Sequence, residues 1–284
     1  MPTRILTSDG TCTLSRYTLN RPDRDEPQIV DVWLPPGYNE STQAYPVLYM
    51  HDGQNLFDPA LATIGVDWGL DEAVIRLMEA GVGRGLIVVG IWHSSQRWQD
   101  YMPQGFWPLA PPAVRELFHQ RGGPPTADGY LAMLVERIKP LVDGHYRTGA
   151  DRSHTWLMGS SMGGLISLYG VERYPDVFGA AACLSTHWPA GGHALVDYLG
   201  SRLPPPGAHR FYFDYGTETL DADYEPYQRR MDGYLRAAGY RHGYDWLTRR
   251  FAGAEHSERA WRQRLDIPLR FLLAAEAPAE PEPG

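Results

Sequence analysis

The sequence predicts an α/β protein with a mostly parallel central sheet and helices on both of its faces. Three observations carry this. Short β-rich runs alternate with longer stretches of three- and four-residue apolar spacing, the pattern of strands joined by crossover helices. Several runs are apolar without interruption, such as Leu86 to Trp92 (LIVVGIW), which suits strands covered on both sides. The length of 284 residues, with 43% apolar and 21% charged side chains, is enough for one large core.

Strands are expected at Cys12 to Leu19, Gln28 to Leu34, Val47 to His51, Leu86 to Trp92, Thr155 to Gly159, Ala180 to Ser185, Arg210 to Asp214 and Asp245 to Phe251. The first two have no helix between them, so antiparallel pairing at a sheet edge is expected. Thr126 or Asp128 can cap a helix carrying Leu131, Leu134, Val135, Ile138, Leu141 and Val142. Pro140 inside that pattern predicts a kink or an early end. Asp67 is placed to cap a helix with Leu70, Val74, Ile75 and Met78, and further helices are expected after Gly163 and from about Tyr224 to Ala238.

The rhythm breaks between Ser94 and Gly123, where Trp98, Tyr101, Phe106, Trp107 and Phe118 are interrupted by proline and glycine. This aromatic insertion reads either as a functional loop or as a packed surface excursion. The organisation expected is a single domain over residues 1–273 with an insertion around 94–125. The remaining run, Ala274 to Gly284 (AAEAPAEPEPG), lacks the apolar surface needed to offset ordering entropy and is expected to be disordered.

With 26 Lys and Arg against 34 Asp and Glu, the net charge is −8, and no basic stripe exists to neutralise phosphates. Nucleic acid and anionic membrane are thereby disfavoured as partners. No apolar run approaches the roughly 18 residues of a membrane span, and the start has no signal-peptide core. Cys12 and Cys183 are far apart and are read as reduced thiols, so a cytoplasmic location is expected. Oligomeric state leaves no readable signal.

Chemistry enters at Gly159-Ser160-Ser161-Met162-Gly163-Gly164, which contains G-x-S-x-G between an apolar strand and a helical pattern. That context is what a nucleophilic serine needs: a strained strand-to-helix turn that lifts its oxygen above the sheet. Side chains at Gly159 or Gly163 are expected to collide with the neighbouring strand and helix. Ser161 is the candidate nucleophile, and unpaired N–H groups at the helix start can hold an oxyanion.

The chain order Ser, acid, His then selects the partners. His256 follows the last β-like run, at the edge where strand C-termini gather, and is the candidate base. The acid must follow the strand ending at Asp214, where Glu218, Asp221 and Asp223 compete. Trp98, Trp107 and Trp188 stand on segments expected to reach this edge, where flat indoles can stack on sugar or aryl groups; core packing is the alternative for each.

These residues resemble the bacterial esterase family of the α/β-hydrolase fold that includes feruloyl and acetyl-xylan esterases, enterochelin esterases, S-formylglutathione hydrolase and the mycolyltransferases. The resemblance rests on Tyr45 to Gln54 (YPVLYMHDGQ), the Gly159 to Gly164 turn, Gly216-Thr217 before an acid, and Gly253-Ala254-Glu255-His256 with Trp261 beyond. It implies an acid seven residues before Gln228, which is Asp221. Spacing from Gly216-Thr217 is then two residues longer than usual, which keeps Glu218 in play. It also implies backbone N–H donors at Gln54 and Met162 as the oxyanion hole, and no metal or cofactor. A metal site built from His51 and Asp52 with His93 or His187 is disfavoured, because no pair has H-x-x-x-H spacing.

The function expected is a serine carboxylic-ester hydrolase for a small acyl or aryl ester, such as that of a carbohydrate. A siderophore esterase or an acyltransferase on the same triad is the alternative, and a non-catalytic binding protein on this fold is a third reading. A triscatecholate siderophore would favour a cationic pocket, whereas Arg97, Arg115 and Arg121 are spread along the insertion.

Overall fold

Residue alternation in the strands decides how the layers form. In the computed structural model, which describes residues 1–274, neighbouring residues of each central strand enter two different apolar cores. Val47, Tyr49, Val89, Leu157, Cys183 and Phe213 face one core; Leu48, Met50, Val88, Met158, Leu184 and Tyr212 face the other. A strand that buries both faces must be apolar throughout, and this is why those runs show no period of two.

The described residues form a nine-stranded sheet in the order β1-β2-β3-β5-β4-β6-β7-β8-β9. Its strands are β1 (Thr3–Leu6), β2 (Thr13–Leu19), β3 (Gln28–Trp33), β4 (Val47–His51), β5 (Ile87–Ile91), β6 (Thr155–Ser160), β7 (Ala180–Leu184), β8 (Arg210–Tyr215) and β9 (Trp246–Arg250). Pairing is antiparallel from β1 through β3 to β5 and parallel from β5 to β9. The fold is thus a mixed α/β sheet with helices on both faces, and the antiparallel edge agrees with the absence of an intervening helix. One strand, β1, escapes sequence reading: it is mostly exposed and paired on one side only, so no apolar pattern marks it.

Helices Leu70–Glu79 and Asp266–Leu273 cover one face, through Leu70, Val74 and Leu77 and through Leu269 and Leu272. Helices Met162–Arg173, Gly192–Gly200 and Glu225–Ala238 cover the other. The helix expected around Leu131 to Val142 forms in three pieces: Ala127–Met133, a π-turn at Leu134–Ile138, and Lys139–His145. Pro140 is the cause. Its ring would clash with the carbonyl of Glu136 in a regular helix, and a widened turn relieves that clash without breaking the buried stripe. Asp67 does not cap the next helix; its carboxylate accepts the Gly69 N–H at 2.9 Å, and Gly69 itself is the N-terminal boundary residue.

The aromatic insertion folds as two short helices, Arg97–Tyr101 and Pro112–Gln120, around a 3-10 segment, Gln104–Leu109. Tyr101, Phe106 and Phe118 are fully buried in the core on that face. The run expected to be disordered lies, from residue 275, outside the described residues. Among those described, no helix is long and apolar enough to cross a membrane, and Cys12 and Cys183 are buried free thiols.

Candidate active site

The C-terminal ends of the parallel strands meet at one edge, and every candidate group follows one of them. β6 delivers Ser161 at φ 58 and ψ −122, directly before the helix that starts at Met162. A serine at positive φ is strained, and such a residue persists only where its surroundings hold it. The Ser161 N–H donates to Leu184 O at 2.9 Å, and its carbonyl accepts from His187 N–H at 3.1 Å, which pins the turn to β7. A Cβ at Gly159 would lie 2.8 Å from the Gly163 carbonyl carbon, so Gly159 is required. The expectation for Gly163 is corrected: a Cβ there meets nothing nearer than 3.5 Å, whereas one at Gly164 would approach Thr186 Oγ1 to 2.9 Å.

His256 follows β9, and its backbone N–H donates to Thr219 Oγ at 2.9 Å. Its Nδ1 is hydrogen-bonded to Asp221 Oδ1 at 2.6 Å, with the Asp221 side chain fully buried. Glu218 and Asp223 are exposed. The extra residues after Gly216-Thr217 are taken up by the 3-10 turn Thr219–Asp223, which Thr219 begins at φ 53. The acid and histidine loops are tied together, since Thr217 and Glu218 N–H both donate to Ala254 O at 3.0 Å.

Burial opposes the charge of Asp221, yet hydrogen bonds from His256, Ser185 and Gly216 hold its carboxyl below the usual value. The Ser185 hydroxyl and Gly216 N–H both donate to Oδ2 at 2.6 Å. An ionised Asp221 requires the proton on His256 Nδ1 and leaves Nε2 as the acceptor.

Ser161, His256 and Trp261 line a common cavity of about 260 Å³. Its other walls include Asn55, Thr63, His93, Glu258 and the ion pair of Asp52 with Arg97. Larger clefts of about 640, 770 and 690 Å³ contain none of the candidate triad residues, and the chemistry favours the smaller one. Ser161 makes no side-chain hydrogen bond among the described residues, so its oxygen is unengaged in that cavity. Arg97 Nε and Nη2 reach the two Asp52 oxygens at 2.5 and 2.6 Å. Burial opposes the Asp52 charge, but Arg97 holds its carboxyl below the ordinary value. His51 is engaged elsewhere: its Nδ1 meets Tyr130 Oη at 2.7 Å, and burial pushes its pKa down to about 3. Among the described residues no group of three His, Cys, Asp or Glu side chains could hold a metal ion.

Gln54 lies in the 3-10 turn Gly53–Asn55 and Met162 opens its helix. Both stand in first turns, whose N–H groups lack acceptors within the helix. Trp98 is half-buried, with the Arg121 guanidinium 4.0 Å from its ring centroid and His187 edge-on at 5.8 Å. The His187 ring is in turn 6.4 Å from that of His256. Trp107 packs against Phe118 at 5.8 Å, one ring further out. Trp188 is a core residue and not a substrate-facing one: it is fully buried, tilts against Phe213 and donates its Nε1–H to Gln228 at 3.2 Å.

The residues missed from sequence are Ser185, Arg264 and the Asp52–Arg97 pair. Only strand-end position hinted at Ser185; it has no motif, and its partners are 36, 76 and 79 residues away.

The family model described as Putative esterase matches residues 25–272. The chain belongs to that family. An uncharacterized protein YbbA of Bacillus subtilis (strain 168) is 26% identical to it over 187 residues, which are 66% of this chain and 67% of YbbA. An IroE-like serine hydrolase from Shewanella oneidensis shares the fold at a TM-score of 0.71 and 17% identity, with 93% of this esterase-family chain and 80% of that chain covered. A ferulic acid esterase gives a TM-score of 0.65 and 18% identity over 92% of this chain and 98% of its own.

Proposed function

We propose that this member of the esterase family is a serine carboxylic-ester hydrolase for small acyl or aryl esters. The observation that carries the reading is the His256–Asp221 hydrogen bond at the wall of the cavity that also holds Ser161. In this reading Ser161 Oγ attacks the ester carbonyl carbon while its proton passes to His256 Nε2. The Gln54 and Met162 N–H groups receive the oxyanion. Collapse breaks the carbon–oxygen bond to the alcohol, which leaves with the proton from His256. Water then attacks the acyl-enzyme and gives a proton to His256; the bond from the acyl carbon to Ser161 Oγ breaks, Oγ takes that proton back, and the carboxylic acid leaves.

The cavity volume of about 260 Å³ supports a small group beside the nucleophile. Neither Trp98 nor Trp107 lines the cavity itself. Trp98, edge-on to His187, whose ring stands 6.4 Å from that of His256, is the better placed of the two to meet an aryl or sugar face reaching beyond it. Likeness to a ferulic acid esterase is consistent with an aryl ester.

The test is turnover of p-nitrophenyl acetate, followed by acetyl, butyryl, feruloyl and siderophore esters. Ser161→Ala should lose nearly all catalysis, and retention within about tenfold of the parent rejects the reading. Acyl transfer to an added alcohol that outruns hydrolysis would make the protein an acyltransferase on the same groups.

A further inference from the structure

Beyond β7 the chain turns through Ser185, whose φ of 42 is unusual for a residue with a side chain. Its backbone is held there by donation of its N–H to Asp214 O at 2.8 Å. The side chain is fully buried and engaged on every side. Trp261 Nε1–H donates to Ser185 Oγ at 2.9 Å, and Arg264 Nη2–H donates to it at 3.0 Å. An indole N–H and a guanidinium can only donate, so both lone pairs of the hydroxyl are taken. Its own proton has one destination, Asp221 Oδ2 at 2.6 Å.

We propose that Ser185 is a positioning residue of the esterase site, its hydroxyl oriented by Trp261 and Arg264 so that it holds the Asp221 carboxylate against His256 Nδ1. The inference rests on the assignment of Ser161, His256 and Asp221 given above. Gly216 N–H and Ser185 Oγ–H together occupy Oδ2, which leaves Oδ1 for the imidazole. The arrangement also has an electrostatic sense. Arg264 is shared between Ser185 and Asp214, with Nη2 2.8 Å from Asp214 Oδ1. Arg264 thus pairs directly with Asp214 and reaches Asp221 only through the Ser185 hydroxyl.

The other titratable groups around the pair are few. The rings of Tyr224 and His187 stand 5.7 and 6.4 Å from that of His256. Glu258, His93, Arg97 and Asp52 line the cavity in front of it.

The experiment is kcat, KM and the pH profile of p-nitrophenyl acetate hydrolysis for Ser185→Ala, Ser185→Gly and Ser185→Cys, beside Ser161→Ala. Ser185→Ala should lower kcat about 10- to 100-fold, the worth of a hydrogen bond to a charged acceptor, with KM nearly unchanged. The acid limb of kcat/KM should move to higher pH, because the Asp221–His256 pair binds its proton more tightly once a donor is lost. Ser185→Gly relieves the backbone strain, so a purely structural serine would be replaced by it without loss, whereas a positioning one leaves Gly as impaired as Ala. Ser185→Cys, a weaker donor, should recover part of the rate. Parental kcat (within about twofold) and an unmoved acid limb in the Ala or Gly variant, with Ser161→Ala inactive, overturn the role of Ser185 alone. Retained rate in Ser161→Ala overturns the site assignment beneath it. Where the truncations do not fold, the Cys variant decides, and parental kcat and pH limb in it overturn the proposal.

Discussion

At Gly159 the turn that presents Ser161 leaves no room for one methyl group. The obstacle is the Gly163 backbone, 2.8 Å from where a Cβ would stand, and backbone cannot swing aside as a flexible side chain can. Gly159→Ala should therefore push β6 and the following helix apart, at a cost of about 2 kcal/mol. In a chain of this size that lowers Tm by roughly 4–8 °C. Gly163→Ala makes the opposite case. Its nearest neighbours, Asp52 Oδ2 and His51 Cβ, lie at 3.5 Å, which is ordinary contact. A helical Gly-to-Ala change there should leave Tm unchanged or slightly raised. Calorimetry on the two variants checks this, and equal losses would show that the pattern's second glycine is as confined as its first. The motif read from sequence treats both glycines alike; the space around them does not.

Helix Glu258–Arg264 is fastened to the sheet by a charge pair that no periodicity announces. Arg264 and Asp214 side chains are 4% and 0% exposed, and the carboxylate also accepts from Tyr212 Oη at 3.0 Å. Arg264→Met would leave Asp214 buried with no compensating charge, a loss of about 3–5 kcal/mol. Burial already raises the Asp214 pKa, and without Arg264 it rises further. A carboxyl with a raised folded pKa destabilises increasingly as pH climbs, so the loss should be larger at pH 8 than at pH 5. Urea unfolding of Arg264→Met, Asp214→Asn and the double variant measures it, and strict additivity would sever the pair. Elements of this kind divide by how their signal is carried. The central strands were legible because burial on two faces writes long apolar runs, and so were the helices after Asp67, Gly163 and Tyr224, whereas Gly192–Gly200 and Asp266–Leu273 were not read. β1 was not, since an exposed edge buries too little to leave a pattern. Pro140 announced its kink, but that a π-turn would absorb it depended on keeping Leu134 and Ile138 in the core. The insertion was ambiguous because Tyr101, Phe106 and Phe118 are spaced by the core they fill and by no single helix.

Across the whole molecule, the candidate site was legible where its groups stand inside short motifs at strand ends, as Ser161 and His256 do. Asp221 required a family spacing, because a 3-10 turn shifts it relative to the strand. Ser185, Arg264 and Arg97 were hidden, since their partners come from other strands and carry no local pattern. The same burial that hides such groups sets how the fold responds to acid. Burial holds the His51 pKa down to about 3, and burial with the neighbouring His256 charge holds His187 down to about 4, against 6.5 for a free imidazole. The unfolded chain then binds protons that the folded chain refuses. The contribution of these two residues is undiminished above pH 6.5, falls progressively as pH drops below it, and stops falling near pH 4 for His187 and near pH 3 for His51. Each refused proton contributes about 1.4 kcal/mol per pH unit, so the pair gives up to about 3 kcal/mol per unit between pH 6 and 4. Asp52 and Asp221, whose pKa values are lowered, extend the loss below the ordinary carboxyl value of 3.8. Unfolding free energy measured in urea from pH 7.5 to pH 4 should fall with this slope, and His51→Gln should flatten it by about one proton. An equal slope in that variant would mean that the imidazole behind the serine turn takes up its proton in the folded state.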